Sequence, residues 1–288
     1  MLSKAIFPDN DYLVAAAQMC STPEVSRNLE QALELIESAA KEGARFIALP
    51  ENLLYLRLEN DERAPILFPD SASFEAIKEA AKKLKVWLLL GSLTEDSGDP
   101  KRPFNTTVVL DSSGEIKATY RKIHLFSLHS SKGVVVDEKL TIAPGKQVVM
   151  VKTPFGGLGL SICYDLRFPE VYRALMASGA TLLAVPSAFT ERTGRVHWHS
   201  LLKTRAVENQ CYVVAPAQTG FHGGNRQSYG HSLILNPWGE IIAEAGEEPE
   251  VVLAEISPAT LSDTRARVPV LEDIRLPLPG GVEIIEAR

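Results

Sequence analysis

One spelling occurs twice in this chain and constrains its fold more than any other feature: GARFIALP from Gly43 returns as GATLLAVP from Gly179. A second pair follows in the same order, VVLDSSGEIKA from Val108 and LILNPWGEIIA from Leu233. Between them, WHSLLKTRAVENQ and CYVVAPAQ stand in the second half where a helical stretch at about 73–85 and VWLLLGSL stand in the first. Shared order together with shared turn spelling reads as an internal pseudo-two-fold repeat. Each half has strand–helix–strand character. In the first, Val25 to Glu42 places Leu29, Ala32, Leu33, Ile36, Ala39 and Ala40 on one helical face, with Pro23 before it and Gly43 after. The flanking runs YLVAAAQM and RFIALP have the length and composition of buried strands. Asp111-Ser112-Ser113-Gly114 and Pro237-Trp238-Gly239 are hairpin turns. The expected α/β architecture is two packed sheets, each covered by helices.

With 288 residues, 45% of them apolar, the chain can bury a large core. The net charge is −6 and Lys and Arg form no run, which argues against nucleic acid or an anionic membrane as partner. No apolar run reaches membrane-spanning length and the N-terminus lacks signal-peptide features, so a cytoplasmic protein is expected. Cys20, Cys163 and Cys211 are widely spaced and form no CxxC, giving neither a disulfide framework nor a thiolate metal site. Cys20 and Cys211 read as core.

Open α/β sheets collect reactive groups beyond the carboxyl ends of strands. Three such ends are polar here: FIALPEN delivers Glu51, ATYRKIH delivers Lys122, and GLGLSICYD delivers Cys163. Cys163 lies between a Gly-rich strand and the helix opened by Pro169-Glu170, which is nucleophile-elbow spelling. Taken singly, a free cysteine is usually packing, a glutamate a solvated strand end and a lysine a surface charge. Only the trio raises them above that.

ALPEN, YRKIHLF, CYDLRFPE and HWHSLLKTRAVENQCYVVAPAQTG, in this order, resemble the nitrilase superfamily of carbon-nitrogen hydrolases, and within it the Nit-type branch of deaminated glutathione amidases. The resemblance implies a four-layer αββα sandwich, with residues 8–270 as one nitrilase-like domain and 271–288 as a C-terminal tail. It also implies hydrolysis of a small-molecule, non-peptide amide with no metal or organic cofactor, by a homodimer or higher homo-oligomer. In that scheme Cys163 is the nucleophile and Glu51 its base, while Lys122 and the Tyr164 backbone N–H stabilise the oxyanion. Glu138, in VDEKLTIAPG, matches a further glutamate of the family that orients the lysine, although the preceding SLHSSKGVVVD departs from the family spelling. His199 stands where the family has Glu.

Arg167, Arg195, His197 and Arg205 flank the elbow and the helix after it, and are candidates to grip a substrate carboxylate. A carboxylated amide such as deaminated glutathione is the substrate expected; α-ketoglutaramate (an ω-amidase), nitriles and N-carbamoyl compounds are the alternatives within the superfamily. Two readings of other kinds remain: a Cys–His hydrolase pairing Cys163 with His197 or His231, and a non-catalytic binding module.

Overall fold

The computed structural model describes residues 4–58, 63–130 and 133–287. The first half runs β1 (Tyr12–Ala17), α1 (Val25–Lys41), β2 (Phe46–Ala48), α2 (Ala72–Leu84), β3 (Trp87–Glu95), β4 (Phe104–Leu110) and β5 (Ile116–Arg121). A hairpin of β6 (Ser127–Ser130) and β7 (Gly133–Asp137) leads to β8 (Val148–Thr153) and β9 (Gly156–Leu160). Then come α3 (Pro169–Ala177), β10 (Leu182–Ala184), α4 (Glu191–Asn209), β11 (Tyr212–Ala215), β12 (Thr219–Gly223), β13 (Arg226–Tyr229), β14 (Leu233–Leu235) and β15 (Ile241–Glu244). The chain finishes with β16 (Val251–Ile256), α5 (Pro258–Arg267) and β17 (Val282–Glu286).

The repeat is built as the spelling implies. One sheet has the order β16-β1-β2-β3-β4-β5, and the other β17-β8-β9-β10-β11-β14-β15, in which β17 is added outside the repeat. The central three strands of each are parallel and their flanks antiparallel. The two GA-initiated spellings are β2 and β10, and the two hairpin spellings are β4–β5 and β14–β15.

The strand period of two sorts side chains into layers. Val14, Ala16, Phe46, Ala48 and Leu89 join one buried cluster with β8–β11 and α3–α4, whereas Ala15, Ala17, Ile47, Leu49, Leu88 and Leu90 join another with α1 and α2. The result is helices, sheet, sheet, helices. Phe155 fills the space between the sheets, its ring 4.6 Å from Tyr12, 5.7 Å from Phe46 and 5.8 Å from Trp87.

Two helices depart from the boundaries expected. Ser71, whose side chain accepts from Phe74 N, starts α2 slightly early. The larger departure is α4, which begins at Glu191 rather than near Trp198 and runs through Gly194. A Cβ at Gly194 would lie 2.3 Å from Tyr229, so the glycine admits that ring and does not break the helix. Beyond residue 270 the chain returns as β17, pairing in parallel with β8 at the sheet edge; Arg288 lies outside the described residues.

Strands β2 and β3 approach so closely at their ends that a Cβ on Gly91 would sit 2.1 Å from the Leu49 carbonyl oxygen and 2.4 Å from the Pro50 carbonyl carbon. Gly91→Ala is therefore expected to destabilise by about 1–3 kcal/mol and to reduce activity, because Pro50 adjoins Glu51. Gly280→Ala, with no atom within 4 Å of the added carbon, should change neither. Thermal unfolding of both variants, alongside an amide-hydrolysis assay, checks the pair.

Candidate active site

Lys122 follows directly on β5, and Glu51 and Cys163 come shortly after β2 and β9, so both sheets contribute to one buried site. Lys122 is 0% and Glu51 2% exposed. The Lys122 Nζ donates to Glu51 Oε1 at 2.8 Å and to Glu138 Oε1 and Oε2 at 3.0 and 2.8 Å. Glu51 accepts further bonds from Asn105 Nδ2 at 2.9 Å and from the Ala188 backbone N–H at 2.8 Å. Ala188 lies beyond β10, the repeat's counterpart of β2, so the pseudo-symmetry aims the second sheet's backbone at the first sheet's carboxylate. Glu138 is fixed in turn by the Phe126 N–H at 2.7 Å.

The Cys163 thiol lies near enough to Glu51 for the two groups to act on each other's ionisation, and its own N–H donates to the Pro186 carbonyl at 3.0 Å. Its φ is +45°, the left-handed region that L residues enter at a cost of roughly 1–2 kcal/mol. Asp165 holds this strained corner: its carboxylate accepts from Ile162 N (2.9 Å), Tyr120 Oη (2.7 Å) and His124 N (3.1 Å), and lies 2.7 Å from His124 Nδ1. A 3-10 turn over Cys163–Arg167 separates the elbow from α3. Tyr164 sits in its first turn, where backbone N–H groups have no intrahelical acceptor.

Electrostatics follow from this geometry. Burial acts to raise the Glu51 pKa, but the Lys122 charge, helped by the Ala188 N–H, outweighs it and holds the carboxyl below the usual range. Burial likewise opposes the Lys122 ammonium, yet Glu138 and Glu51 keep its pKa well above the ordinary value. Burial, and then the Glu51 charge, push the Cys163 thiol well above its usual range. The resting site is thus two carboxylates, one ammonium and a protonated thiol. Passing the thiol proton to Glu51 leaves the net charge unchanged, so a nucleophile forms without a further buried charge.

The sequence profile of the carbon-nitrogen hydrolase family matches residues 13–266. The chain belongs to the carbon-nitrogen hydrolase family. A "Deaminated glutathione amidase" from Synechocystis is 41% identical over 264 residues, covering 91% of this chain and 97% of that protein. The crystal structure of the NitFhit protein of C. elegans superposes with a TM-score of 0.88 at 39% identity, covering 93% of this chain and 66% of that longer one. An amidase from Nesterenkonia, in a glutamate-to-glutamine mutant carrying the acetamide moiety of fluoroacetamide on its active-site cysteine, gives a TM-score of 0.74 at 26% identity over 92% of this chain and 98% of that one.

Not every candidate of this carbon-nitrogen hydrolase reaches the thiol. Arg167 is half-buried beside the elbow, 5.8 Å from the Tyr164 ring and 5.3 Å from the Phe189 ring, with Nη1 3.2 Å from His197 Nδ1. Arg205 does not serve a pocket: it is 4% exposed, and its guanidinium donates to the Leu166 carbonyl at 3.2 and 2.8 Å and to Glu208 at 2.8 Å. It anchors the 3-10 turn to α4. Arg195 is on the surface, paired with Glu191. His197 faces Arg167, and His231 and His199 both meet Glu244. A cavity of about 570 Å³ lies elsewhere, lined by Lys4, Ile6, Phe7, Lys152 and Ile284. Cys211 is core as expected, whereas Cys20 is only part-buried, and all three thiols are free. Among the described residues no helix is long and apolar enough to cross a membrane. Ser131 and Lys132 of the departing spelling lie outside the described residues.

Behind Glu51, Gln218 donates to its backbone carbonyl at 2.9 Å and to Ser21 Oγ at 2.8 Å. His222 lies 2.9 Å from the Ser21 carbonyl and 2.8 Å from Ser228 Oγ. Burial lowers the His222 pKa from 6.5 to about 4. The unfolded chain therefore binds the extra proton first, and this contribution to stability is whole above pH 6.5 and lost as pH falls toward about 4. The Glu51 carboxyl, also depressed, loses its own contribution as pH falls through its lowered value. Calorimetry across this window should show His222→Gln losing less stability on acidification than the parent protein.

Proposed function

We propose that this enzyme is a deaminated glutathione amidase, cleaving the amide between a 2-oxo diacid acyl group and a Cys-Gly dipeptide through a Cys163 thioester. The observation carrying this reading is the buried Glu51–Lys122–Glu138 cluster against the Cys163 thiol. The Synechocystis relative's name supports the substrate, and the Nesterenkonia adduct supports a cysteine nucleophile.

Glu51 takes the thiol proton as sulfur attacks the amide carbon. The oxyanion forms against the Lys122 ammonium and the Tyr164 N–H, with Glu138 holding the ammonium in place. Collapse breaks the C–N bond, and protonated Glu51 gives its proton to the departing amine. Glu51 then deprotonates water, which attacks the thioester, releasing the acid and restoring the thiol. No imidazole and no metal or organic cofactor has a part in this cycle.

With Arg205 and Arg195 held by other groups, Arg167, oriented by His197, is the cation for the substrate carboxylate. Residues 8–270 act as the nitrilase-like domain and 271–288 as its tail. The working form is a homodimer or higher homo-oligomer in the cytoplasm, a setting that three free thiols suit.

Cys163→Ala should abolish turnover while unfolding at nearly the parent temperature. Lys122→Met should lower kcat by about 10²–10³ with a smaller change in KM. Arg167→Met should weaken kcat/KM for carboxylated amides by about 10–100-fold and leave an uncharged amide unaffected. The substrate itself is tested by comparing kcat/KM for deaminated glutathione, α-ketoglutaramate, an aliphatic amide and a nitrile. Preference for α-ketoglutaramate would make the enzyme an ω-amidase, and preference for either uncharged compound would refute the carboxylate-binding role.

A further inference from the structure

Among the described residues, one group of imidazoles and a carboxylate converges away from the buried cluster: His199 on α4, His231 just before β14, and Glu244 ending β15. His199 Nε2 lies 2.7 Å and His231 Nδ1 3.2 Å from the same Glu244 oxygen, and the three atoms lie within 4.8 Å of one another. We propose that these three side chains form a binding site for a divalent zinc-class cation that clamps α4 to the β14–β15 hairpin.

Three observations carry this. First, the donor set of two imidazoles and a carboxylate is one that borderline cations such as zinc take, with water completing the shell. Bonds of about 2.0–2.1 Å in a tetrahedron set neighbouring ligand atoms roughly 3.3 Å apart. The two contacts to Glu244 already approximate that spacing, so a cation could replace the intervening protons with small side-chain movements.

Second, the ligands are held before any cation arrives. The ladder pairs Leu233 with Glu244, and His231 N donates to the Gly246 carbonyl, which sets His231 and Glu244 on a cross-strand diagonal. His231 has φ +57°, directly after Gly230 at +74°. Trp198 Nε1 fixes its carbonyl at 2.8 Å, and its ring packs at 4.4 Å on Tyr229. A non-glycine residue in the left-handed region, held from both sides, is where function is to be sought. Third, the side chains are 30%, 24% and 32% exposed, so a hydrated ion can reach them.

The test uses the full-length chain in a Cys163→Ala background, which removes the buried thiol as a competing ligand. After treatment with chelator and its removal, zinc is titrated calorimetrically, and Co(II) is added separately as a spectroscopic probe. The expected result is one cation per chain and a thermal midpoint that rises with zinc concentration. The cobalt spectrum should be tetrahedral or five-coordinate without a thiolate charge-transfer band. His199→Gln and Glu244→Gln, both at the surface, should each weaken binding at least tenfold and abolish the zinc-dependent rise. Absence of stoichiometric binding, equal binding in the variants, or a thiolate band from Cys20 or Cys211 would each overturn the proposal.

Discussion

The Lys122 ammonium, fully buried between the Glu51 and Glu138 carboxylates, is the contact on which the rest of the site depends. A lone ammonium in a protein interior would lose several kcal/mol of hydration free energy and would shed its proton. Two carboxylates reverse that and leave a net negative charge beside Cys163. Burial first, and then the Glu51 charge, keep the thiol protonated at rest, and Glu51 is the natural destination for its proton. Removing the lysine leaves two carboxylates unpaired, and removing either glutamate takes away one of the two charges that hold the ammonium, so the three act as a unit and their individual losses should not add.

Holding the cluster takes both sheets. Glu51 comes from the first and Cys163 from the second, while the Ala188 N–H reaches Glu51 from the repeat's equivalent of the strand that delivers Glu51 itself. The elbow is braced by Asp165 below and Arg205 behind, the latter gripping the Leu166 carbonyl from α4. A left-handed cysteine persists because its surroundings over-determine it.

Much of this was legible in the sequence for physical reasons. Strand-length apolar runs ending in Glu51, Lys122 and Cys163 marked the site, because a polar residue right after a buried strand must emerge at the sheet's carboxyl edge. The doubled GA-initiated and hairpin spellings marked the two sheets. What stayed hidden depends on contacts between distant segments. The start of α4 ahead of Trp198 runs through Gly194, whose place in the helix depends on the Tyr229 ring packed against it. Arg205 reads as a substrate ligand because sequence shows its charge and not its partners. Asn105, Asp165 and Gln218 left no local signal, since each is a polar residue in an otherwise ordinary run whose role comes from a partner at least 45 positions away. His199 and His231 stand far apart in sequence and come together, ring edge to ring face, only where α4 meets Glu244 at the end of β15.

The central claim is that the buried cluster keeps Cys163 as a thiol until Glu51 accepts its proton. The most direct measurement is the ultraviolet thiolate absorbance of the substrate-free enzyme as pH is raised, taken as a difference against Cys163→Ala so that Cys20 and Cys211 cancel. The account predicts no Cys163 thiolate at neutral pH and titration only above the ordinary thiol range. A thiolate already present at neutral pH would contradict it.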